Sequence, residues 1–176
     1  MPVPEQRSIV PGSEGAPRTA DERTTLIEFL EWQRSVLRRK LENLTPEQLR
    51  RRAVPPSPMS LLGLVRHLTD VERGWFRRTL AGEEVDDLYA TEADPDGDFN
   101  GVDAADTAAA LAAWAEECER SRRVAAARGL EDEGRQQNGR AVSLRWILVH
   151  MIEEYSRHNG HADLLRESID GATGYA

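Results

Sequence analysis

The chain has one cysteine, Cys118, and one lysine, Lys40, among its 176 residues. A single thiol excludes an internal disulfide and fits a reducing setting. With lysine nearly absent, arginine carries almost all the positive charge. That bias reads as a GC-rich genome and says little about chemistry. No apolar run approaches the ~20 residues of a membrane-spanning helix. The opening residues, MPVPEQRS, lack the apolar core of a secretion signal. A cytoplasmic location is therefore expected. The formal net charge of −8 disfavours nonspecific binding to phosphate backbones and anionic membranes. Neither nucleic acid nor membrane is an expected partner. A serine-centred elbow, a P-loop and a dinucleotide glycine motif are all missing, which argues against those chemistries. No internal repeat is evident.

What is present is helical periodicity. The length suits one domain with a full core. Residues 1–20 hold Pro2, Pro4, Pro11, Gly12, Gly15 and Pro17 and read as an extended or disordered leader. Residues 21–170 form the expected domain, and 171–176 a loose tail. Asp21 is placed to cap a first helix whose stripe runs through Leu26, Phe29, Leu30, Gln33, Leu37 and Leu41 and ends near Asn43. Thr45-Pro46-Glu47-Gln48 is a capping-box start for one short turn. After the break at Pro55-Pro56-Ser57-Pro58, Ser60 caps a second helix with Leu61, Leu64, Val65, Leu68, Val71, Trp75, Phe76 and Leu80 on its apolar face, and Gly82 ends it.

Residues 83–102 are acidic and without periodicity. Loops of that length are often lids or binding loops. Asp96-Gly97-Asp98-Phe99-Asn100-Gly101 matches the first half of a calcium-binding EF-hand loop, but the twelfth position is Thr107 rather than glutamate, so the signature fails. A solvated loop is the simpler expectation, with Asp103 or Asp106 capping the next helix. Leu111, Trp114, Cys118 and Ala125 mark that third helix, to about Arg128. Cys118 on its apolar face reads as a small core residue rather than a nucleophile. A polar connection follows, and Ser143 caps a last helix to about Ser168. Four long amphipathic segments and no convincing strand pattern predict an all-α four-helix bundle, with a long loop between helices two and three.

The last helix carries the chemistry. Ile147, Met151, Glu154, His158, His161 and Leu165 recur at helical steps of four and three along one stripe. An acid in a core stripe is costly unless something pairs with it. Metal coordination is the simplest way to account for an acid and imidazoles together. Glu154 and His158, four residues apart, converge on one side of the helix. His67 is the one histidine outside this helix and sits at the core edge of helix two. His67, Glu154 and His158 form a candidate two-histidine, one-carboxylate metal site with room for water or substrate. His161 is a candidate fourth ligand or a residue behind the ligands, and His150 fits a supporting role. Met151 and Trp146 read as core residues. Arg66 and Arg157 read as surface salt-bridge partners.

The segments SLLGLVRHLTDVERGWF (60–76) and SLRWILVHMIEEYSRHNGHADLLRE (143–167), with the helix-one run DERTTLIEFLEWQR, resemble the DinB-like superfamily of metal-binding four-helix bundles, and more narrowly its DUF664 group. Many relatives carry a three-histidine site, with one histidine on helix two and a pair spaced by four on the last helix. Here Glu154 stands first in that pair, a departure similar to the His/Glu/His site of mycothiol-dependent maleylpyruvate isomerase. The resemblance implies His67, Glu154 and His158 as ligands, zinc as the metal with nickel as an alternative, and mycothiol or a similar thiol as cosubstrate. The expected activity is a metal-dependent transferase using that thiol on a small-molecule substrate. The alternatives are a metal-stabilised binding or stress-response protein without turnover, and a metal-dependent small-molecule hydrolase. No catalytic or cofactor-binding residue is assigned, and a homodimer is expected.

Overall fold

The computed structural model describes residues 15–174. Most of the expected leader, residues 1–14, and the last two residues of the tail lie outside the described residues. Helix α1 spans Glu22–Leu41, with the Asp21 carboxylate accepting the Thr24 N–H at 3.0 Å. The short α2, Pro46–Arg50, starts with the capping box in which Thr45 and Gln48 satisfy each other's backbone N–H groups. Helix α3, Leu61–Glu72, is capped by Ser60 Oγ on the Gly63 N–H.

Helix α3 does not stop at Glu72. It runs on as a π-helical stretch, Arg73–Leu80, closed by the Ala81 N–H donating to Phe76 O, five residues back. A π-helical stretch turns less per residue and so re-phases its side chains, a device common near functional sites. It keeps Phe76 and Leu80 in the core and leaves Trp75 at its edge. Gly82, at φ +71°, turns the chain away. Four-residue α4, Gly97–Asn100, follows within the acidic segment. Helix α5, Thr107–Ala126, is capped by Asp106 rather than Asp103.

The connection to the last helix is not wholly irregular. Strands β1, Glu133–Arg135, and β2, Ala141–Ser143, pair antiparallel, with Gly134 opposite Val142. Three-residue strands are too short to show a period, which is why the sequence reads as polar loop there. Gly134 backs onto the carbonyl of Thr79 so closely that no Cβ fits between them, so the hairpin lies against the π-helical stretch. Helix α6, Leu144–Asp170, begins at the Ser143 cap and ends at Gly171 in the left-handed region.

Helix α1 packs chiefly on α6, and α3 with its extension packs on α5. Leu37, Leu62, Leu64, Leu68, Phe76, Ile147 and Met151 are all at most 1 % exposed and fill the centre. A polar network crosses that core. Arg34 of α1 donates from Nε and Nη2 to the two oxygens of Glu72 on α3, at 2.8 and 2.6 Å. Tyr155 of α6 donates to Glu72 Oε1 at 2.8 Å and accepts from the Trp114 indole N–H of α5 at 2.9 Å. Cys118 Sγ lies 3.6 Å from Glu72 Oε1 and 3.7 Å from Tyr155 Oη. All four long helical segments therefore meet at one buried carboxylate.

Candidate metal centre

Helix α3 presents His67 and α6 presents Glu154 and His158 toward one another where these helices pack. Glu154 Oε2 lies 3.3 Å from His158 Nε2 and 3.9 Å from His67 Nε2. The two rings stand edge to face with centroids 4.7 Å apart. Each of the three residues offers a ligand atom within 4.8 Å of the others. His158 is buried, while His67 and Glu154 are half-buried, so the cluster lies at the rim of the core with one side toward solvent.

The local electrostatics suit an ionised acid among imidazoles. The imidazoles of His158 and then His67 beside it hold the Glu154 carboxyl well below the usual carboxylate range. Burial works against a charge on His67, yet the hydrogen-bonded Asp98 carboxylate and the nearby Glu154 carboxylate raise it to about 9.

The partner that sequence reasoning missed is Asp98. Its Oδ2 sits 2.9 Å from His67 Nδ1, and its Oδ1 accepts the Phe99 N–H at 2.9 Å. It is 5 % exposed. This residue belongs to the half-matched calcium loop and was expected in a solvated turn; instead the short α4 turns it inward against α3. The Phe99 ring stacks on His67 with centroids 5.7 Å apart. Gly63 makes that approach feasible, since a Cβ there would meet the Phe99 ring at 2.6 Å. A carboxylate on Nδ1 favours the tautomer with its proton there and leaves the Nε2 lone pair on the side of Glu154.

His161 lies behind the cluster rather than in it. Its Nδ1 is 3.3 Å from Nδ1 of His158, on the side of that ring away from Glu154. Burial, with His158 and Arg157 nearby, lowers its pKa, which favours the neutral ring. His150 is also outside the three-residue cluster, with Nε2 3.5 Å from Glu154 Oε1. Its ring is flanked by Trp146, nearly parallel at 5.0 Å, and by Trp75, edge-on at 4.7 Å. Met151 is a core residue, but Trp146 is 47 % exposed because its position on α6 faces the π-helical stretch and solvent rather than α1.

The arginines divide. Arg157 pairs with Glu153 at the surface, as expected. Arg66 does not form a surface salt bridge: it is buried, donates to the carbonyls of Gly101 and Gly97 at 3.0 and 2.9 Å, and lies over the Tyr89 ring. It is one of several α3 side chains that tie down the acidic segment. Asp70 accepts the N–H groups of Leu88, Tyr89 and Ala90, Arg73 donates to Asp86 O, and Arg78 reaches Asp87 Oδ1. The segment is thus a fixed wall. It helps enclose a cleft of about 370 Å³ that opens on His67 and is also bordered by Trp75, Thr79, Gln136 and Gln137.

A helical bundle with a histidine–glutamate–histidine cluster between two of its long helices agrees with the resemblance to DinB-like proteins. The family model for mycothiol-S-transferase matches residues 25–171, and the chain belongs to that family. No curated protein and no solved structure matches it. No helix among the described residues is long and apolar enough to cross a membrane.

Proposed function

We propose that this protein is a divalent-metal-dependent transferase that uses a low-molecular-weight thiol of the mycothiol type. The observation that carries the reading is Glu154, whose one carboxylate oxygen faces the Nε2 atoms of both His67 and His158 beside an open cleft. The donor set fits a zinc-like ion, being two imidazole nitrogens and one carboxylate that stays ionised, with a carboxylate behind one imidazole. Family membership supports a thiol as cosubstrate.

His67, Glu154 and His158 would hold a divalent ion, which would supply Lewis acidity to lower the pKa of a thiol beside it. The protein's own groups do the rest. Asp98 keeps the His67 proton on Nδ1, and His161 accepts the Nδ1 proton of His158, so both Nε2 lone pairs are presented together. The acidic segment walls one side of the cleft. The carboxylates that line the cleft are already engaged: Asp70 of α3 with backbone N–H groups, Asp87 with Arg78 and Asp98 with His67. That leaves Gln136, Gln137 and Thr79 as neutral polar groups on the walls, suited to the hydroxyls of a sugar-bearing thiol. The setting is cytoplasmic on this reading.

Elemental analysis after chelator-free purification tests it. About one divalent ion per chain is expected, as a three-ligand site implies, with sharp losses in His67→Ala, Glu154→Ala and His158→Ala. Full occupancy in Glu154→Ala would move the ligand set to His67, His158 and His161.

A further inference from the structure

Beside the candidate metal centre, three aromatic rings from two helices meet at the surface. Trp75 and Trp146 lie 5.1 Å apart at 52°, Trp146 and His150 stack at 15°, and Trp75 meets His150 edge-on. Packing alone does not account for the group. Trp146 is 47 % exposed, and leaving that much indole in water forgoes part of the stabilisation that burying a large apolar side chain contributes. The arrangement is also held from both sides. The π-helical stretch sets Trp75 at the core edge, and the Glu154 carboxylate faces the far side of the His150 ring.

The shelf is continuous with the cleft. Trp75 is one wall of the space that opens on His67. Trp146 borders a neighbouring space of about 430 Å³, and Gln136 lines both. A molecule lying on the shelf is therefore one side chain, His150, away from Glu154. Flat π-systems pack on indole and imidazole faces and edges better than puckered rings do, through offset stacking and edge contacts that add to area burial. With Glu153 and Glu154 adjoining His150, a neutral or cationic ligand is favoured over an anionic one.

We infer that Trp75, Trp146 and His150 form the acceptor subsite of this protein, and that its substrate class is a flat, uncharged, conjugated electrophile. The inference rests on the transferase reading for the word acceptor; the binding subsite itself does not. Such a molecule lies against the tryptophans with its reactive end toward the cleft, where the thiol enters from the side of Gln136 and Gln137.

The test uses nitrobenzene as an unreactive flat probe and nitrocyclohexane as its puckered counterpart, titrated into the ¹⁵N-labelled protein with and without bound zinc. Saturable shifts of the Trp75 and Trp146 indole N–H signals are expected with nitrobenzene, while those of Trp32 and Trp114 stay in place. Trp146→Ala, at an exposed position, should keep its helical circular dichroism and bind nitrobenzene at least fivefold more weakly. Trp75→Phe, which keeps a ring, should lose less. Binding in the metal-free protein would uphold the subsite even if the metal-dependent reading failed. Equal affinity for nitrocyclohexane, or Trp146→Ala binding within twofold of the wild type, would overturn the inference.

Discussion

Asp98 Oδ2 lies 2.9 Å from His67 Nδ1, so a residue of the acidic segment fixes the orientation of an imidazole on α3. The contact ties the segment to the site more directly than its place at the cleft mouth does. It also gives the first prediction. Asp98→Asn should keep the fold and weaken metal affinity about 10- to 100-fold, the usual effect of removing the partner behind a ligating histidine. Competition against a chromogenic chelator measures this, and unchanged affinity would remove Asp98 from the account.

His161 is expected to support His158 without holding the metal. His161→Ala should retain about one ion per chain with lowered affinity, because the His158 N–H loses its acceptor but no ligand is lost. Stoichiometry below one half at saturating zinc would instead make His161 a ligand.

The Arg34–Glu72 pair should dominate core stability. Glu72 is fully buried and Arg34 nearly so, and removing Glu72 leaves the buried Arg34 to its ion pair with Glu31 at 2.6 Å and takes the acceptor from Tyr155. Glu72→Ala should cost about 3–5 kcal/mol, while Arg34→Met combined with Glu72→Leu should recover most of that. Urea unfolding of the single and double variants decides the point. A double variant as unstable as the single one would show that Tyr155, which also donates to Glu72, cannot tolerate its loss.

Cys118 should be inert in the folded protein. Burial, then Glu72, pushes its thiol up to about 12, so almost no thiolate exists at pH 8. Ellman's reagent should react only as the chain unfolds in urea. The linkage has a definite sign. The unfolded thiol ionises near ~8.5, so from there toward 12 the unfolded chain loses its proton while the folded one keeps it, and stability falls as pH rises. Cys118→Ala should show a shallower fall over that window. Prompt labelling of the native protein would contradict the burial argument.

Much of this architecture was legible in the sequence because it rests on local rules. Asp21, Thr45, Ser60 and Ser143 sit at helix starts and each cap as their residue type dictates. The 4–3 spacing of Ile147, Met151, Glu154 and His158 puts them on one side of α6. Tertiary relationships were not legible. Asp98 looked like half of a calcium loop because its partner, His67, is 31 residues away. Arg66 looked like surface charge because its acceptors are backbone carbonyls of a segment without periodicity. Trp146 looked like core because a helical stripe does not reveal where the neighbouring helix changes to π-helical turns. The β1–β2 hairpin was too short to leave a pattern.

The fold itself should not depend on the metal. The apolar residues that fill the bundle, from Leu30 on α1 to Leu165 on α6, pack away from the cluster at its rim. Chelation should leave the helical circular dichroism within a few per cent and lower the melting temperature only modestly. Collapse of the helical signal would make the metal structural.

The central claim is that the cluster of His67, Glu154 and His158 brings a metal and a small thiol together. Titration of the cobalt-substituted protein with mycothiol, with bacillithiol and glutathione alongside, tests it most directly. The account predicts a saturable change in the cobalt d–d bands with mycothiol, and a sulfur scatterer in X-ray absorption of the zinc form. No change in either signal with any of the three thiols at millimolar concentration would contradict it.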